Sequence, residues 1–372
     1  MKLAFIATHY LPHIGGLELA TYHLANELAK QNNEIHIITP YPSPNETKSK
    51  IHAHRYPINT YPDEPPLRAF FDGLTFFKKT LSEIKIINPN IVHAQNITNS
   101  IPAYLAWKKY HIPYTICIHA NLELMGPFLP KILKKIWPQL PHIKAASQII
   151  VLTNEMAARI ETDLGRRPAV IPNGVDFTSF YPKTRENKSD KNPVIVTLSR
   201  IDDKKGLEYA IQSMPQILRT HANAKLRIIG DGEYKSELQK ITAQLNLTDS
   251  VEFIGIVPNN DVPDYLRNAD VFLLPSLFEG LPLTLLEAMA CGLPVISTPV
   301  SIAPDIISTW NNGYIVPFKS PEAIADAAIT LLSNPEIRKT YAANSAKAAK
   351  ETMSWENVAK QYQALYQQIL NR

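Results

Sequence analysis

The chain has 372 residues, a formal net charge of +4 and 45% hydrophobic residues. This length suffices for two domains with separate cores, the charge is too small to argue for a nucleic-acid partner, and no apolar stretch reaches the length of a membrane span. The two cysteines, Cys117 and Cys291, lie in apolar contexts. We interpret them as buried thiols and, with no signal-peptide pattern at the start, expect a cytoplasmic protein.

The chain opens with the pattern of a βαβ unit. Apolar runs at 2–7 and 34–39 predict two strands, and leucines and alanines at helical spacing predict the crossover helix between them. Gly15 and Gly16 stand where that helix begins. Two glycines there allow the backbone to approach a ligand closely, although the pair alone also fits a tight turn.

The next part of the chain predicts further strands and one long core helix. Residues 40–66 are rich in Pro and Asn and predict a loop containing one short strand at 51–55. Apolar residues at helical spacing over 67–84 predict a core helix, and strands are expected at 91–94 and 114–118. His119 follows the last of these strands directly, where parallel sheets bind ligands, so we favour a site role over a core histidine.

A basic and apolar segment, Phe128–Lys144, is open to two interpretations. One is an ordinary surface helix whose lysine stems cover apolar area. The other is peripheral contact with anionic lipid on the cytoplasmic membrane face. Two prolines interrupt the pattern, which slightly favours the first.

A second domain begins after residues 183–192, which contain no apolar residue and predict a linker. Its first strand, near 194–199, leads into a loop with Arg200 and Lys205. Two cations in such a loop suit the neutralisation of phosphates. The alternative is a pair of surface salt bridges with Asp202 and Asp203.

Glycines follow the next two predicted strands of this domain. Gly230 comes after the strand at 225–229, where it admits a nucleotide close to the backbone, and Gly255 comes after the run at 251–254. Asp231 lies between Gly230 and Gly232, where we interpret it as the cap of the following helix.

The stretch that carries most information runs from Val271 to Pro294. A buried strand at 271–274 is followed by a loop and by a helix with Pro282 in its first turn and Gly292 just past its end. Glu279 lies in the loop and Glu287 inside the apolar helix. Glu287 could pair with a nearby cation, or both carboxylates could accept from hydroxyls of a ligand whose phosphates rest on the helix N-terminus.

These motifs resemble retaining glycosyltransferase family 4, the glycosyl transferases group 1 with the GT-B fold. The resemblance rests first on PSLFEGLPLTLLEAMACGLPVIST, with two glutamates separated by seven residues and followed by A-M-A-x-G-x-P-V-I. It extends to P-x-x-G-G-x-E at 12–18, to IPNGVD at 171–176, and to Arg, four residues, then Lys-Gly at 200–206. Where the family commonly has Gly-Gly and then Glu, this chain has Val-Ser-Ile-Ala-Pro-Asp at 300–305, which leaves the local loop shape and the donor choice open.

The resemblance implies an α/β fold of two Rossmann-like domains facing across a cleft. The expected organisation is an acceptor-binding domain at 1–182, the linker at 183–192, a nucleotide-sugar-binding domain at 193–354, and a last helix at 355–372 that crosses back to the first domain. It also implies a retaining hexosyltransferase that moves a sugar from a UDP- or GDP-sugar to a hydroxyl of a glycan or lipid-linked acceptor in polysaccharide or glycolipid biosynthesis.

The resemblance also implies roles for particular residues. The expected catalytic residues are His119, Glu279, Arg200 and Lys205. The expected donor-binding residues are Gly15, Gly16, Arg200, Lys205, Gly230, Gly255, Glu279, Gly280, Leu281, Leu283, Thr284 and Glu287. No Asp-x-Asp pair occurs in the sequence, so neither a metal nor another cofactor is expected. A sugar-nucleotide 2-epimerase of the same fold and a non-catalytic binding subunit are the alternative functions.

Overall fold

The chain divides into two compact units. The first comprises Met1–Gly174 and Trp355–Arg372, and the second comprises Val175–Ser354. The structure, a computed structural model, describes residues 1–8, 10–11, 16–40, 46–48, 50–56, 66–119, 137–182 and 192–372.

The first unit contains an eight-stranded sheet in the order β3-β4-β2-β1-β5-β6-β7-β8. All its described pairings are parallel except that of β3 with β4. Its central order, β4-β2-β1-β5-β6-β7, is the 3-2-1-4-5-6 arrangement of a Rossmann sheet. The strands are β1 (Lys2–Ile6), β2 (Glu34–Thr39), β3 (Glu46–Lys48), β4 (Ile51–Arg55), β5 (Ile91–Ala94), β6 (Tyr114–Ile118), β7 (Gln148–Val151) and β8 (Ala169–Val170).

Helices accompany these strands in chain order, as the βαβ pattern requires. The short strand β3 is missing from the sequence prediction, which has a loop there, because three polar residues carry no apolar alternation. The described helices of this unit are Gly16–Lys30, Pro66–Ile87, Ser100–Tyr110, Pro141–Lys144, Asn154–Leu164 and Trp355–Leu370, with a 3-10 turn at Trp137–Gln139.

The second unit contains a six-stranded parallel sheet in the order β11-β10-β9-β12-β13-β14, which is again the Rossmann order. The strands are β9 (Val194–Leu198), β10 (Lys225–Ile229), β11 (Val251–Gly255), β12 (Val271–Leu274), β13 (Val295–Ser297) and β14 (Gly313–Ile315). The helices are Leu207–Thr220, Lys235–Gln244, Val262–Arg267, Leu283–Ala290, Ala303–Trp310, Pro321–Ser333 and Pro335–Thr352, and a 3-10 turn lies at Asp203–Lys205. The predicted class, α/β with two Rossmann-like domains, is confirmed.

The boundary between the units lies earlier than the predicted residue 182. Val175 already belongs to the second unit, where its N–H donates to the carbonyl of Met353 at 2.7 Å. Phe177 and Phe180 pack against the core of that unit, and Arg267 donates to the carbonyl of Ser179 at 3.1 Å. Apolar burial therefore assigns residues 175–182 to the second unit, whereas the change in composition that suggested a linker begins only afterwards. Residues 183–191 of that linker lie outside the described residues.

Candidate functional site

The predicted site residues of the second unit follow strands that are neighbours in the sheet. β9 pairs with β12 in parallel, with Val196 beside Phe272. These two strands flank the point where the strand order reverses, and open α/β sheets bind ligands there, beyond the carboxyl ends of the strands. The loop after β9 carries Arg200 and Lys205, and the loop after β12 carries Glu279.

Lys205 and Glu279 form an ion pair although 74 positions separate them in the sequence. The Nζ of Lys205 lies 2.9 Å from Oε1 of Glu279, and the two side chains are only 18% and 11% exposed. Ser276 donates its hydroxyl to the same carboxylate oxygen at 2.7 Å. The Glu279 carboxylate is therefore held in one orientation by two donors.

The two loops also contact each other through the backbone. The N–H of Leu277 donates to the carbonyl of Lys204 at 2.8 Å. Gly206, with a φ of +59°, lies so close to Pro275 that a Cβ at position 206 would approach the Pro275 carbonyl oxygen to 2.3 Å. A glycine is required there by both the left-handed backbone and the contact. This close packing fixes Lys205 beside Glu279.

Arg200 differs from Lys205 in being open to solvent. Its side chain is 79% exposed, and its Nε lies 3.0 Å from Oδ2 of Asp202. The surface salt bridge that the sequence left open is thus present for Arg200 with Asp202, whereas the partner of Lys205 is Glu279. An exposed guanidinium held by one carboxylate keeps N–H donors available for an anion.

Glu287 is a half-buried carboxyl in the apolar helix Leu283–Ala290. Among the residues that the structure describes, no hydrogen bond or ion pair to its carboxylate is found, so the pairing with a nearby cation that the sequence left open is absent there. Burial raises the pKa of Glu287 to about 7. A carboxyl without a partner in such a position can accept a hydrogen bond from a ligand hydroxyl.

The helix that carries Glu287 begins one residue later than expected. Pro282 is the residue before the helix rather than part of its first turn, and no side chain caps the helix start. Among the described residues, no side chain accepts from its first N–H groups, at Leu283 and Thr284. The side chains of Leu281 and Leu283 pack against the core, which leaves their backbone as the part suited to contact a ligand.

Gly230 and Gly255 are brought together at the ends of β10 and β11. The N–H of Gly230 donates to the carbonyl of Gly255 at 2.8 Å, and their φ angles are +129° and +83°. Asp231 does not cap the next helix, which begins only after Tyr234. The Asp231 carboxylate instead accepts from the N–H of Gly232 at 2.8 Å and from Lys235 at 3.0 Å, because the turn is longer than the sequence suggested.

The loop in which this chain departs from the family pattern also contacts the site. Ser301 has a φ of +53°, and its hydroxyl donates to the carbonyl of Gly280 at 2.5 Å. Sequence reasoning missed Ser276 and Ser301 as supporting residues. For Ser276 the signal was its place just beyond β12, whereas Ser301 carries no comparable signal.

His119 lies at the carboxyl end of β6 in the first unit, as predicted, beside a residue that sequence reasoning missed. Its Nε2 lies 2.8 Å from Oε1 of Gln95, and Gln95 follows β5 as His119 follows β6. Burial lowers the pKa of His119 to about 4. With Nε2 donating to the amide oxygen, the neutral ring keeps Nδ1 as a hydrogen-bond acceptor.

Parts of the predicted site and membrane segment lie outside the described residues. Gly16 begins the helix Gly16–Lys30, and Gly15 is outside the description. Of Phe128–Lys144, residues 128–136 are outside it, and the remainder forms a 3-10 turn and a short helix. Within the described ranges, every helix is too short or too polar to cross a bilayer.

Comparison with known proteins is consistent with this geometry. The family model "Glycosyltransferase Family 4" matches residues 14–179, and the model "Glycosyl transferases group 1" matches residues 182–348. Together they span most of the chain. The chain belongs to the group 1 glycosyltransferases of family 4, and it is a glycosyltransferase.

Two relatives represent the curated proteins that the chain resembles. It is 27% identical to the N-acetyl-alpha-D-glucosaminyl L-malate synthase of Bacillus anthracis over 383 residues, covering 100% of this chain and 98% of the relative. It is 30% identical to a GDP-mannose-dependent monoacylated alpha-(1-6)-phosphatidylinositol monomannoside mannosyltransferase of Corynebacterium glutamicum over 246 residues, covering 59% of this chain and 64% of the relative.

Solved structures support the fold. The sucrose-phosphate synthase from Thermosynechococcus elongatus superposes with a TM-score of 0.82 at 21% identity, covering 100% of this chain and 99% of that one. The Anabaena protein HepE in complex with UDP gives a TM-score of 0.76 at 17% identity, covering 99% and 100%. The fold of this chain is therefore that of the GT-B glycosyltransferases.

Proposed function

We propose that this chain transfers a sugar, with retention of its anomeric configuration, from a UDP- or GDP-sugar to a hydroxyl of a glycan or lipid-linked acceptor. The observation that carries the proposal is the half-buried carboxyl of Glu287, which has no partner among the described residues. Glu287 lies in the helix that directly follows the loop with Glu279, the partner of Lys205. A carboxylate in this position would accept hydrogen bonds from the ribose hydroxyls of a nucleotide.

The cations and the helix start would hold the donor diphosphate. Arg200 presents a guanidinium fork, Lys205 a point charge, and the N–H groups at Leu283 and Thr284 the positive end of a helix. These groups would stabilise the negative charge that grows on the leaving diphosphate. We therefore propose that no metal ion is required to carry it.

The remaining residues would bind the sugar and the nucleoside. Glu279, already oriented by Lys205 and Ser276, would accept from hydroxyls of the donor sugar. The backbone at Gly230 and Gly255 would approach the nucleoside of the donor. Further contacts to the donor would come from Gly15, Gly16 and the backbone of Gly280 and Leu281. The neutral ring of His119 would accept a hydrogen bond from a sugar hydroxyl through Nδ1.

The transfer itself needs no protein nucleophile. The bond from the anomeric carbon to the diphosphate oxygen would break, and the acceptor oxygen would bond to the same face of that carbon. The departing diphosphate oxygen would take the proton of the acceptor hydroxyl, so the products are a glycoside and a nucleoside diphosphate. The protein supplies position and electrostatic stabilisation.

The relatives support a nucleotide-sugar donor but differ in the nucleotide. The Corynebacterium glutamicum relative is named as a GDP-mannose-dependent mannosyltransferase of a phosphatidylinositol mannoside, whereas the HepE structure contains UDP. The first experiment is therefore a thermal-shift panel of UDP- and GDP-sugars. A ligand that binds only the native state raises the apparent stability of the protein and therefore its melting temperature. A Glu287→Gln variant serves as the matched control and should lose most of the shift.

Hydrolysis of the best donor without acceptor then distinguishes the alternatives. Slow release of free sugar with its anomeric form retained, independent of added Mg²⁺ or Mn²⁺, would support the proposed transfer. Conversion of the donor into its epimer would assign a 2-epimerase instead. A panel in which no nucleotide raises the melting temperature would contradict the proposal and favour a non-catalytic subunit.

A further inference from the structure

Four ionisable side chains of the first unit lie together on one face of its sheet. β2 and β4 pair in parallel, with His36 beside His52 and Ile38 beside His54. Because side chains alternate along a strand, Glu34 shares the face of His36, and His54 shares that of His52. The ring of His36 stacks on both neighbours, with centroid distances of 4.9 Å to His52 and 5.2 Å to His54.

Three of these residues offer ligand atoms at the spacing of a metal site. One atom each from Glu34, His36 and His52 lies within 4.8 Å of the other two. Oε1 of Glu34 and Nε2 of His36 are 3.0 Å apart. Tetrahedral zinc with bonds of about 2.0–2.1 Å places neighbouring ligand atoms about 3.3 Å apart. His36 is buried and fixed, while Glu34 and His52 are half-buried, so small side-chain rotations suffice.

One contact in the hydrogen-bond chain around His36 has no hydrogen available to it, and a cation would bind both acceptors there. Three contacts form one chain, from Glu34 to Nε2 of His36 at 3.0 Å, from Nδ1 of His36 to Nε2 of His54 at 2.9 Å, and from Nδ1 of His54 to Glu83 at 3.2 Å. Two neutral imidazoles supply only two N–H groups for these three contacts.

If His54 donates to Glu83 and His36 donates to His54, both hydrogens are used. The lone pair of His36 Nε2 then faces the Glu34 carboxylate, and two acceptors lie 3.0 Å apart. A divalent cation between them would turn both into ligands. The same arrangement gives the ligating histidine an outer partner that accepts its second N–H, which is the usual support of a metal-bound imidazole.

We propose that Glu34, Nε2 of His36 and His52 bind one Zn²⁺ ion, with water in the fourth position. Two imidazoles and a carboxylate suit zinc better than the oxygen-preferring Mg²⁺ or Ca²⁺. His54 and Glu83 act as positioning residues that orient His36. Lys2, whose Nζ lies 3.5 Å from Oε1 of Glu34, is the cation that zinc displaces.

The location indicates a structural or regulatory ion rather than part of sugar transfer. Glu34 and His36 lie at the start of β2, and His52 near the start of β4. His119, by contrast, follows the carboxyl end of its strand. An ion shared by β2 and β4 would cross-link these two strands and stabilise the first unit.

The test is zinc binding to the full chain, prepared without a histidine tag and stripped of metal with a chelator. Competition with a chromophoric chelator should give one Zn²⁺ per chain. Glu34→Gln and His52→Gln, both at half-buried positions, should weaken binding by about 100-fold, and His54→Gln should weaken it about 10–100-fold as an outer partner. His111→Asn is the control, because His111 is exposed and its φ of +59° is one that Asn tolerates.

A spectroscopic measurement keeps the proposal testable even if a variant folds poorly. Co²⁺ bound to the unaltered chain should show the d–d absorption of four-coordinate cobalt, and X-ray absorption of the zinc form should show two imidazoles in the first shell. In His54→Gln the cobalt spectrum should shift, which loss of stability alone would not cause. Zinc uptake that is absent, or unchanged in both Glu34→Gln and His52→Gln, would overturn the proposal.

Discussion

Lys205 and Glu279 lie 2.9 Å apart because the strands before them, β9 and β12, are neighbours across the reversal of strand order. The pair is largely shielded from solvent, and both partners have proposed roles toward the donor. In the absence of ligand, each therefore holds the other in place. Donor phosphate would compete with Glu279 for Lys205.

We predict that Lys205→Met destabilises the chain and abolishes most of its activity. Removing the ammonium leaves the Glu279 carboxylate with one donor among the described residues, Ser276, so the free energy of unfolding should fall by about 2 kcal/mol, less than for a fully buried pair. The kcat/KM for the donor should fall at least about 100-fold, because a charge that stabilises the leaving group is lost. Urea unfolding and initial rates measure the two effects.

The double variant Lys205→Met/Glu279→Gln separates the two roles. Its stability should return to within about 1 kcal/mol of the unaltered chain, since no unpaired charge remains, while its activity stays low. Lys240→Met, at an exposed pair on a helix surface, is the control for loss of a lysine. Full activity in Lys205→Met would contradict the assignment.

We predict that Glu287 makes the stability of the ligand-free chain fall as the pH rises. Its folded pKa, about 7, lies above the ordinary value of 4.5, so the folded chain binds this proton more tightly than the unfolded chain. The contribution of this proton to the free energy of unfolding is fully present below pH 4.5. It is lost as the pH rises toward 7, which lowers the free energy of unfolding by up to about 3 kcal/mol. Glu287→Gln should remove this dependence and be the more stable protein near pH 8.

The same carboxyl predicts the pH dependence of nucleotide binding. Ribose hydroxyls donate best to the ionised form, so affinity for the best nucleotide should rise with pH and level off above about 7. Calorimetry in buffers of different ionisation enthalpy should detect proton release on binding. Affinity that is independent of pH in the unaltered chain would show that Glu287 does not contact the ligand.

Two glycines on the side of the site proposed to bind the nucleoside allow a matched test of the backbone packing there. A Cβ at position 230 would approach the Ser199 carbonyl oxygen to 1.9 Å, whereas at position 255 it would meet nothing within 4 Å. Gly230→Ala should therefore cost more than about 3 kcal/mol, since backbone must move, and Gly255→Ala only about 1–2 kcal/mol from its positive φ. Thermal unfolding compares them, and equal costs would contradict the close packing of Gly230.

Sequence reasoning predicted most of the fold because most strands of this chain are apolar runs bounded by polar residues. It placed β4 at its observed bounds and failed at β3, whose Glu-Thr-Lys sequence pairs only because β4 lies beside it. It also placed the unit boundary too late, because Phe177 and Phe180 pack on the core of the second unit through tertiary contacts that the local sequence does not show. Local pattern predicts elements, whereas partners depend on topology.

The same distinction holds for the site. Residue identity and spacing singled out Arg200, Lys205, Glu279 and Glu287, but the sequence suggested Asp202 and Asp203 as partners of the two cations. The observed pairing of Lys205 with Glu279 could be predicted only from the order of strands in the sheet, since it joins residues 74 positions apart. The Glu34, His36, His52 and His54 cluster similarly depends on the register of β2 with β4.

We predict that Gln95 acts on the reaction through His119. Gln95→Leu removes the acceptor that holds Nε2–H and leaves that donor without a partner in a half-buried site, so the ring is free to take the other tautomer or to rotate. Gln95→Glu keeps an acceptor at the same distance and adds a charge that favours protonated His119, so the lowered pKa of His119 should rise from about 4.

Activity at neutral pH should therefore fall about tenfold or more in Gln95→Leu and follow the new His119 pKa in Gln95→Glu. Imidazole chemical shifts measured by NMR across the pH range report the tautomer and the pKa independently of activity. His142→Gln, at a partly buried histidine in the helix Pro141–Lys144, is the control for loss of a ring elsewhere in the same unit. Unchanged shifts and rates in Gln95→Leu would show that the contact between Gln95 and His119 has no part in the reaction.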